Sequence, residues 1–337
     1  MKYRRLGTSP LKISPLTLGT MMFGGATSME DSLRIIHDAR DTGVNSIDTA
    51  DVYNDGATEE VVGKALAGDR DKWVLASKVA NRMGDGPNRS GFSRKWILEG
   101  VEASLRRLDT DYLDILYLHR DFPQNSLEEP LRAIAQLLDQ GKIRYYGLSN
   151  FRGWRIAEAV RMAQQLGMPS PSVIQPVYSA VNRIAELEQL PAAREYGMGV
   201  ISYSPLARGV LTGKYHSMED VPADSRVGRA DPRILATEWR EESLHVVRAI
   251  RDRVESRGVT IADFATAWVL NNTLVTSAIA GPRTFEQWRD YVRALDVELS
   301  PEDEAFMDEL VSPGYASTHG FHDASHFVSG RIAPGVA

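Results

Sequence analysis

Three short apolar runs in this sequence each stop at an ionisable side chain. The run Val44 to Ile47 ends at Asp48, and Tyr53 follows five residues on, within N-S-I-D-T-A-D-V-Y (45–53). The run V-L-A-S (74–77) ends at Lys78, and L-D-I-L-Y-L (113–118) ends at His119. A short apolar run closed by a polar residue reads as a buried strand that hands a functional group to its C-terminal loop. Gathered in one place, a carboxylate, a phenol, an ammonium and an imidazole can move a proton. The phenol is the expected acid, yet a free tyrosine titrates near ~10, too high for efficient work around neutrality. A nearby ammonium would lower that value. Taken singly, each residue has an ordinary explanation: a strand-end Asp forms turns, and a lone His satisfies local polar groups. The case rests on the four occurring together.

Parallel strands closed into a barrel bring their C-terminal ends to one face, which is where these groups would meet. The rest of the chain fits that frame. Two short runs around Gly7-Thr8-Ser9-Pro10 (residues 2–13) suggest a hairpin, and Leu16-Thr17-Leu18 reads as a first strand ending at Gly19-Thr20. Helical patterns then cover 29–42, 58–67, 93–108, 127–140, 153–166 and 184–196. They alternate with strand-like runs at 44–48, 73–78, 113–119, 145–149, 172–176 and 199–203. Ser93 and Ser126 are expected N-caps, and Gly43, Gly141 and Gly167 follow helix ends. Residues 204–238 lack periodicity and read as a long functional loop. Helices at 239–257 and 260–271, an eighth strand at Thr276 to Ala280, and helices at 284–294 and 301–311 complete the pattern. No linker divides the chain, so residues 1–337 read as one α/β barrel domain, with 1–15 as the N-terminal hairpin and 312–337 as a tail. A dinucleotide-binding open sheet is the rival, but G-x-G-x-x-G does not occur after the first strand.

Of the 337 residues, 43% are hydrophobic, enough for a large core. The formal net charge is −6 and no basic cluster stands out, which argues against nucleic acid. The absence of cysteine excludes disulfides, thiolate zinc sites and cysteine nucleophiles. No run approaches the roughly 20 apolar residues of a membrane span, and the first residues lack a signal core, so a cytoplasmic protein is expected.

The order D-T-A-x-x-Y, strand-end Lys, then Y-L-H resembles the catalytic tetrad of the aldo-keto reductases. The opening K-Y-R-R-L-G-T-S-P-L-K-I-S-P-L-T-L-G-T-M resembles that family's N-terminal signature, and the likeness runs from about Met1 to Leu310. The resemblance implies a single TIM (β/α)8 barrel that passes hydride between NADPH and a small carbonyl compound. Tyr53 would then protonate the carbonyl oxygen, with Lys78 beside it lowering its pKa and Asp48 paired to Lys78, and His119 would orient the carbonyl.

The family also implies a cofactor site. Ser149 and Asn150 resemble the pair that holds the nicotinamide carboxamide, with Gln175 as the third amide contact. Tyr203 resembles the aromatic that stacks on the nicotinamide ring, which needs a flat apolar surface behind it. Gly19, Thr20, Met21 and Asp48 border the same site. The segment Ser204, Pro205, Leu206, Arg208, Gly209 to Lys214 resembles the loop around the pyrophosphate. Gly281 and Arg283 open a helix, a natural phosphate site; in the family this arginine reads the 2′-phosphate, which favours NADPH over NADH, and Gln287 is the next contact. Tyr291 stands where the family often has asparagine, a departure that bears on the adenine contact.

Other motifs carry less. His119-Arg120-Asp121 imitates a kinase catalytic loop, but Asn125 falls one residue short of the required spacing and no glycine-rich loop accompanies it. Gly209 to Lys214 imitates a P-loop with three residues between its glycines in place of four. His319, His322 and His326 sit in the tail without a second ligand set, so no metal site is read there. Specificity is expected in Met21 to Phe23, Asn81 to Gly91, Phe122 to Asn125 and the tail. The tail's Tyr315, Phe321 and Phe327 suggest that it packs on the barrel, and the resemblance implies that it borders the substrate pocket. Two other functions compete with reduction. One is a regulatory nucleotide-binding subunit, as in the family's potassium-channel β-subunits; the other is a barrel isomerase without nicotinamide.

Overall fold

Residues 1–323 are described by a computed structural model, in which eight parallel strands close on themselves in the order β10-β3-β4-β5-β6-β7-β8-β9. These are β3 (Leu16–Gly19), β4 (Ser46–Asp48), β5 (Val74–Val79), β6 (Leu113–Leu118), β7 (Ile143–Ser149), β8 (Val173–Gln175), β9 (Gly199–Ser202) and β10 (Ser277–Ala280). Ahead of them, β1 (Arg4–Arg5) and β2 (Lys12–Ile13) form the expected antiparallel hairpin. The architecture is a TIM barrel. Its outer layer comprises α1 (Met29–Asp41), α2 (Ala57–Leu66), α3 (Arg94–Leu108), α4 (Glu128–Asp139), α5 (Gly153–Gln165), α6 (Gln189–Glu195), α7 (Pro232–Ala236), α8 (Glu241–Val254), α9 (Ile261–Asn271), α10 (Phe285–Arg293) and α11 (Pro301–Leu310).

Side chains alternate between the two faces of a strand, and that alternation sorts the core into two parts. Leu75, Leu116, Leu148, Ile174, Val200 and Ala278 face outward into the apolar layer between sheet and helices. Their neighbours Val74, Ala76, Ile115, Tyr117, Val173, Ile201 and Ile279 face inward and fill the barrel. The hairpin closes the lower end, with Leu6 and Ile13 packed into that inner cluster. Deep inside, Thr17 Oγ1 meets Ser46 Oγ at 3.1 Å and Ser277 Oγ at 2.7 Å, so three buried hydroxyls satisfy one another. Gly147 has a local reason: a Cβ there would lie 2.6 Å from the Tyr117 ring, so glycine makes room for it.

Caps follow expectation with one adjustment. Ser93 Oγ accepts from Trp96 N at 3.2 Å. Ser126 Oγ accepts from Glu128 N at 3.1 Å, although the N-cap position itself falls on Leu127. The stretch expected as one helix at 184–196 is broken into a 3-10 turn, Ile184–Glu186, and α6. The break leaves the Glu188 carboxylate free to accept from Gly153 N at 2.9 Å, at the start of α5. The long loop after β9 carries a 3-10 turn, Ala207–Thr212, and α7, whose Asp231 side chain accepts from Arg233 N and Ile234 N.

Candidate active site

The inward phase of the strands places the chemistry. Asp48 follows outward Ile47, Lys78 follows inward Val74 and Ala76, and His119 follows inward Ile115 and Tyr117. Ser149, Gln175 and Tyr203 continue the same phase on β7, β8 and beyond β9. All six therefore meet at the C-terminal mouth. Three residues just past strand ends have positive φ without being glycine: Ala80 (94°), Asn150 (62°) and Ser204 (59°). Such strained backbone collects at functional sites.

Lys78 is fully enclosed, and its Nζ donates to Asp48 Oδ2 at 2.5 Å, Thr49 O at 2.7 Å and Tyr53 Oη at 3.2 Å. Burial alone would drive this ammonium down, but Asp48 and Tyr53 outweigh burial and hold it above the ordinary lysine range. The phenol departs from the sequence-based expectation. Burial raises Tyr53 above its ordinary value, and the charge of Lys78 pulls against that rise without overcoming it. Sequence showed the ammonium but not the extent of enclosure. Tyr53 is thus held in its acid form. Its ring meets His119 edge-on, centroids 5.9 Å apart. Burial, with Lys78 and Arg120 adding to it, pushes His119 well below the usual histidine range, so the imidazole is neutral near pH 7.

Asp48 has a second partner: Gln175 Nε2 donates to its Oδ1 at 2.8 Å. Asn150 Nδ2 donates to His119 O at 3.0 Å, and Tyr203 Oη donates to Asn150 Oδ1 at 2.8 Å. Burial pushes the Tyr203 phenol up to about 12. One cavity of about 1070 Å³ joins these residues, above the roughly 300–1,000 Å³ usual for a ligand pocket. Tyr53, His119, Asp48, Gly19, Thr20, Met21, Ser149, Asn150, Gln175 and Tyr203 line one part of it. Ser204, Leu206, Arg208, Gly209, Lys214, Gly281, Arg283 and Gln287 line the remainder. Lys78 lies behind the wall, and Pro205 does not line the cavity.

Cations concentrate at the end beside β9 and β10. Lys214, Arg226, Arg229 and Arg283 all line it, and burial together with the nearby Arg283 lowers the Lys214 ammonium. Carboxylates answer part of this charge: Asp224 pairs with Arg283 at 3.1 Å and Asp231 with Arg226 at 3.2 Å. Arg208 is spent on buried Glu238 at 2.9 Å. Gly209 adopts φ +100°, and a Cβ there would sit 3.2 Å from Lys214 Nζ. Gln287 Oε1 accepts from Arg283 N at 2.8 Å. Tyr291 is buried in the cavity wall, its phenol pushed up to about 12 by burial, with the Gly281 backbone opposing. A group of cations only partly balanced by carboxylates on a cleft wall fits a polyphosphate ligand.

The tail reaches this mouth. Within residues 312–323, Ser317 N donates to Val181 O at 3.0 Å and Arg240 lies 3.7 Å over the Phe321 ring. Asp323 forms a two-pronged ion pair with Arg233 at 3.0 and 2.6 Å, and Arg233 lines the cavity. Tyr315, expected to bury itself, is 51% exposed and stacks on His319. His326 and Phe327 lie outside the described residues. Sequence reasoning did not single out Arg120, Arg152, Arg226, Arg229 and Arg233 in the lining, or buried Asp51 behind it. Arg120 directly follows Y-L-H and Arg152 lies two residues beyond G-L-S-N, and those positions were the available signal. Among the described residues no helix is long and apolar enough to cross a membrane.

A family profile described as "Aldo/keto reductase family" matches residues 15–312. The chain belongs to that family of oxidoreductases. Among curated proteins it is similar to a probable voltage-gated potassium channel subunit beta of Oryza sativa subsp. japonica, 38% identical over 90% of this chain and 94% of the relative. It is 37% identical to an uncharacterised oxidoreductase of Bacillus subtilis, over 90% of this chain and 93% of that one. It is also 32% identical to an L-glyceraldehyde 3-phosphate reductase of Escherichia coli K12, with 93% of both chains covered.

Proposed function

We propose that this protein is an NADPH-dependent reductase of small aldehydes or ketones, reversible, with Tyr53 as general acid in reduction and base in oxidation. The observation that carries the reading is Lys78 Nζ, which bridges Asp48 Oδ2 and Tyr53 Oη beside His119. Bound NADPH would supply the hydride. Ser149, Asn150 and Gln175 would hold its carboxamide and Tyr203 would back its ring, while Lys214 and Arg283 would take phosphates. Neutral His119 orients the carbonyl oxygen by donating a hydrogen bond. As negative charge develops on that oxygen, Tyr53 releases its proton to it, and Lys78 stabilises the phenolate left behind. The Tyr53 proton is retained until then because burial disfavours the phenolate.

The relative named as a reductase of an aldehyde phosphate supports turnover. The relatives named as channel subunits favour a second reading, a nucleotide-binding regulatory subunit with little turnover. NADPH oxidation with 4-nitrobenzaldehyde, together with tryptophan fluorescence on adding NADPH, separates the two. Turnover supports the reductase, and binding without turnover across a panel of carbonyls supports the regulatory subunit. No binding of NADPH overturns both.

A further inference from the structure

Two arginines stand at the tetrad end of the cavity without a carboxylate partner among the described residues. Arg120 directly follows His119 after β6, and Arg152 lies two residues beyond Asn150 after β7; both line the cavity. The neighbouring carboxylate, Asp121, does not neutralise them. It pairs at 3.0 Å with Arg155, a 2%-exposed residue that also takes Glu158 at 2.7 Å.

The contacts that hold the two arginines come from rings, not carboxylates. The Arg120 guanidinium lies 5.3 Å from the centre of the Phe122 ring. Arg152 Nη2 lies 3.3 Å from His322 Nε2, and because a guanidinium can only donate, the ring nitrogen is on the accepting side of this contact. Both charges therefore remain available to the cavity. They are also separate from the cations expected to hold the dinucleotide phosphates. Arg283 follows β10, and β6 lies diametrically across the closed barrel from β10, with three strands between them in either direction. The field of Arg120 reaches the reacting end, where it helps keep His119 neutral.

We propose that Arg120 and Arg152 form an anion-recognising end of the substrate pocket, so that the preferred carbonyl compound carries a carboxylate or phosphate elsewhere on its skeleton. This rests on the reductase reading above. Two guanidinium forks suit either anion, each offering paired N–H donors in the plane of the acceptor oxygens. Anchoring the anion at the rim fixes the distance and angle at which the carbonyl reaches Tyr53 and His119. Attraction within a cleft also draws the substrate in, and salt weakens it.

Matched substrate pairs test the proposal with the full chain and saturating NADPH. Butanal against succinic semialdehyde reads the carboxylate arm, and glyceraldehyde against glyceraldehyde 3-phosphate reads the phosphate arm. The expected result is a kcat/KM about tenfold or more higher for the anion of at least one pair, declining with added salt. Whichever pair shows it names the anion. In the double variant Arg120→Gln/Arg152→Gln the anion-to-neutral ratio should fall to near unity, chiefly through KM. The ratio is taken within one protein preparation, so general damage cancels. A ratio near unity in the native protein, or one that survives the double substitution, overturns the proposal. If no aldehyde is turned over, the reductase reading fails. The anion site is then judged by calorimetric titration of succinate and glycerol 3-phosphate with NADP+ present. Binding that weakens about tenfold in the double variant sustains the site, and absence of binding, or equal binding by both proteins, overturns it.

Discussion

The carboxylate of Asp48 is shared between Gln175 and Lys78: Oδ1 accepts from Gln175 Nε2 at 2.8 Å and Oδ2 from Lys78 Nζ at 2.5 Å. One side chain thus ties the amide contacts expected for nicotinamide to the ammonium beside Tyr53. Asp48 and Lys78 are 3% and 0% exposed. In Asp48→Asn the ammonium would lose its counter-ion, which typically costs about 3–5 kcal/mol when one partner of a buried pair is removed. Urea denaturation of the variant should register a loss of that order. Unchanged stability would mean that Lys78 is not carried as a cation in the native protein.

Tyr53→Phe removes one hydroxyl that is bonded to Lys78 and leaves the ring against His119. The expected outcome is a kcat at least ~10²-fold lower, the usual scale for a lost general acid, with the fold and NADPH affinity retained. Steady-state rates and a fluorescence titration check both halves. Near-native turnover would remove Tyr53 from the proton-donor role.

Arg283→Ala should weaken NADPH and leave NADH nearly unaffected, because on the reading proposed this guanidinium takes the 2′-phosphate that only NADPH carries. Losing a charge-assisted contact costs on the order of 1.5–3 kcal/mol. The ion pair with Asp224 competes for the same group, so the loss should fall toward the lower figure. Equal losses for the two cofactors would refute the assignment.

Asp51 gives a pH dependence of known sign. It is 1% exposed, among the described residues both of its oxygens lack a hydrogen-bond partner of good geometry, and burial followed by Glu59 raises its carboxyl to about 7. A carboxyl raised by folding favours the folded state below the unfolded carboxylate range, and that contribution is lost as pH rises through about 7. Asp51→Asn abolishes this dependence. The stability of the native protein minus that of the variant should therefore decline between pH ~4 and ~8, by at most on the order of 4 kcal/mol. Unfolding curves across that range that run parallel for the two proteins would sink the assignment.

Asp48, Lys78 and His119 were legible in the sequence because each terminates an apolar run, and the two-residue period of a strand fixes the side to which it points. The barrel was legible for the same reason: sheet and helix periods alternate without interruption as far as Tyr203. Where the chain stops repeating, sequence says less. Helix α7 has five residues, too few to show a period, and it begins from an Asp231 cap inside a polar stretch. Arg120 and Arg152 carry no pattern of their own, since a surface arginine is common and only the closed barrel shows that these two share a wall. The direction of the Tyr53 shift was misjudged because burial belongs to the assembled mouth and not to the D-T-A-x-x-Y motif.

The barrel is sealed by β10 against β3, pairing Ala278 with Leu16, Ile279 with Thr17 and Ala280 with Leu18. During biosynthesis β3 is among the first segments to leave the ribosome and its partner among the last. Until Ala280 emerges, the nascent sheet has an exposed edge on β3 and another on β9, the kind of edge that recruits other strands. Contacts this distant in sequence form slowly, and partly folded chains with open edges aggregate. A translation arrest ahead of Thr276 should therefore leave a chain that is sensitive to protease and bound by chaperones, even though all four residues of the tetrad have already been made.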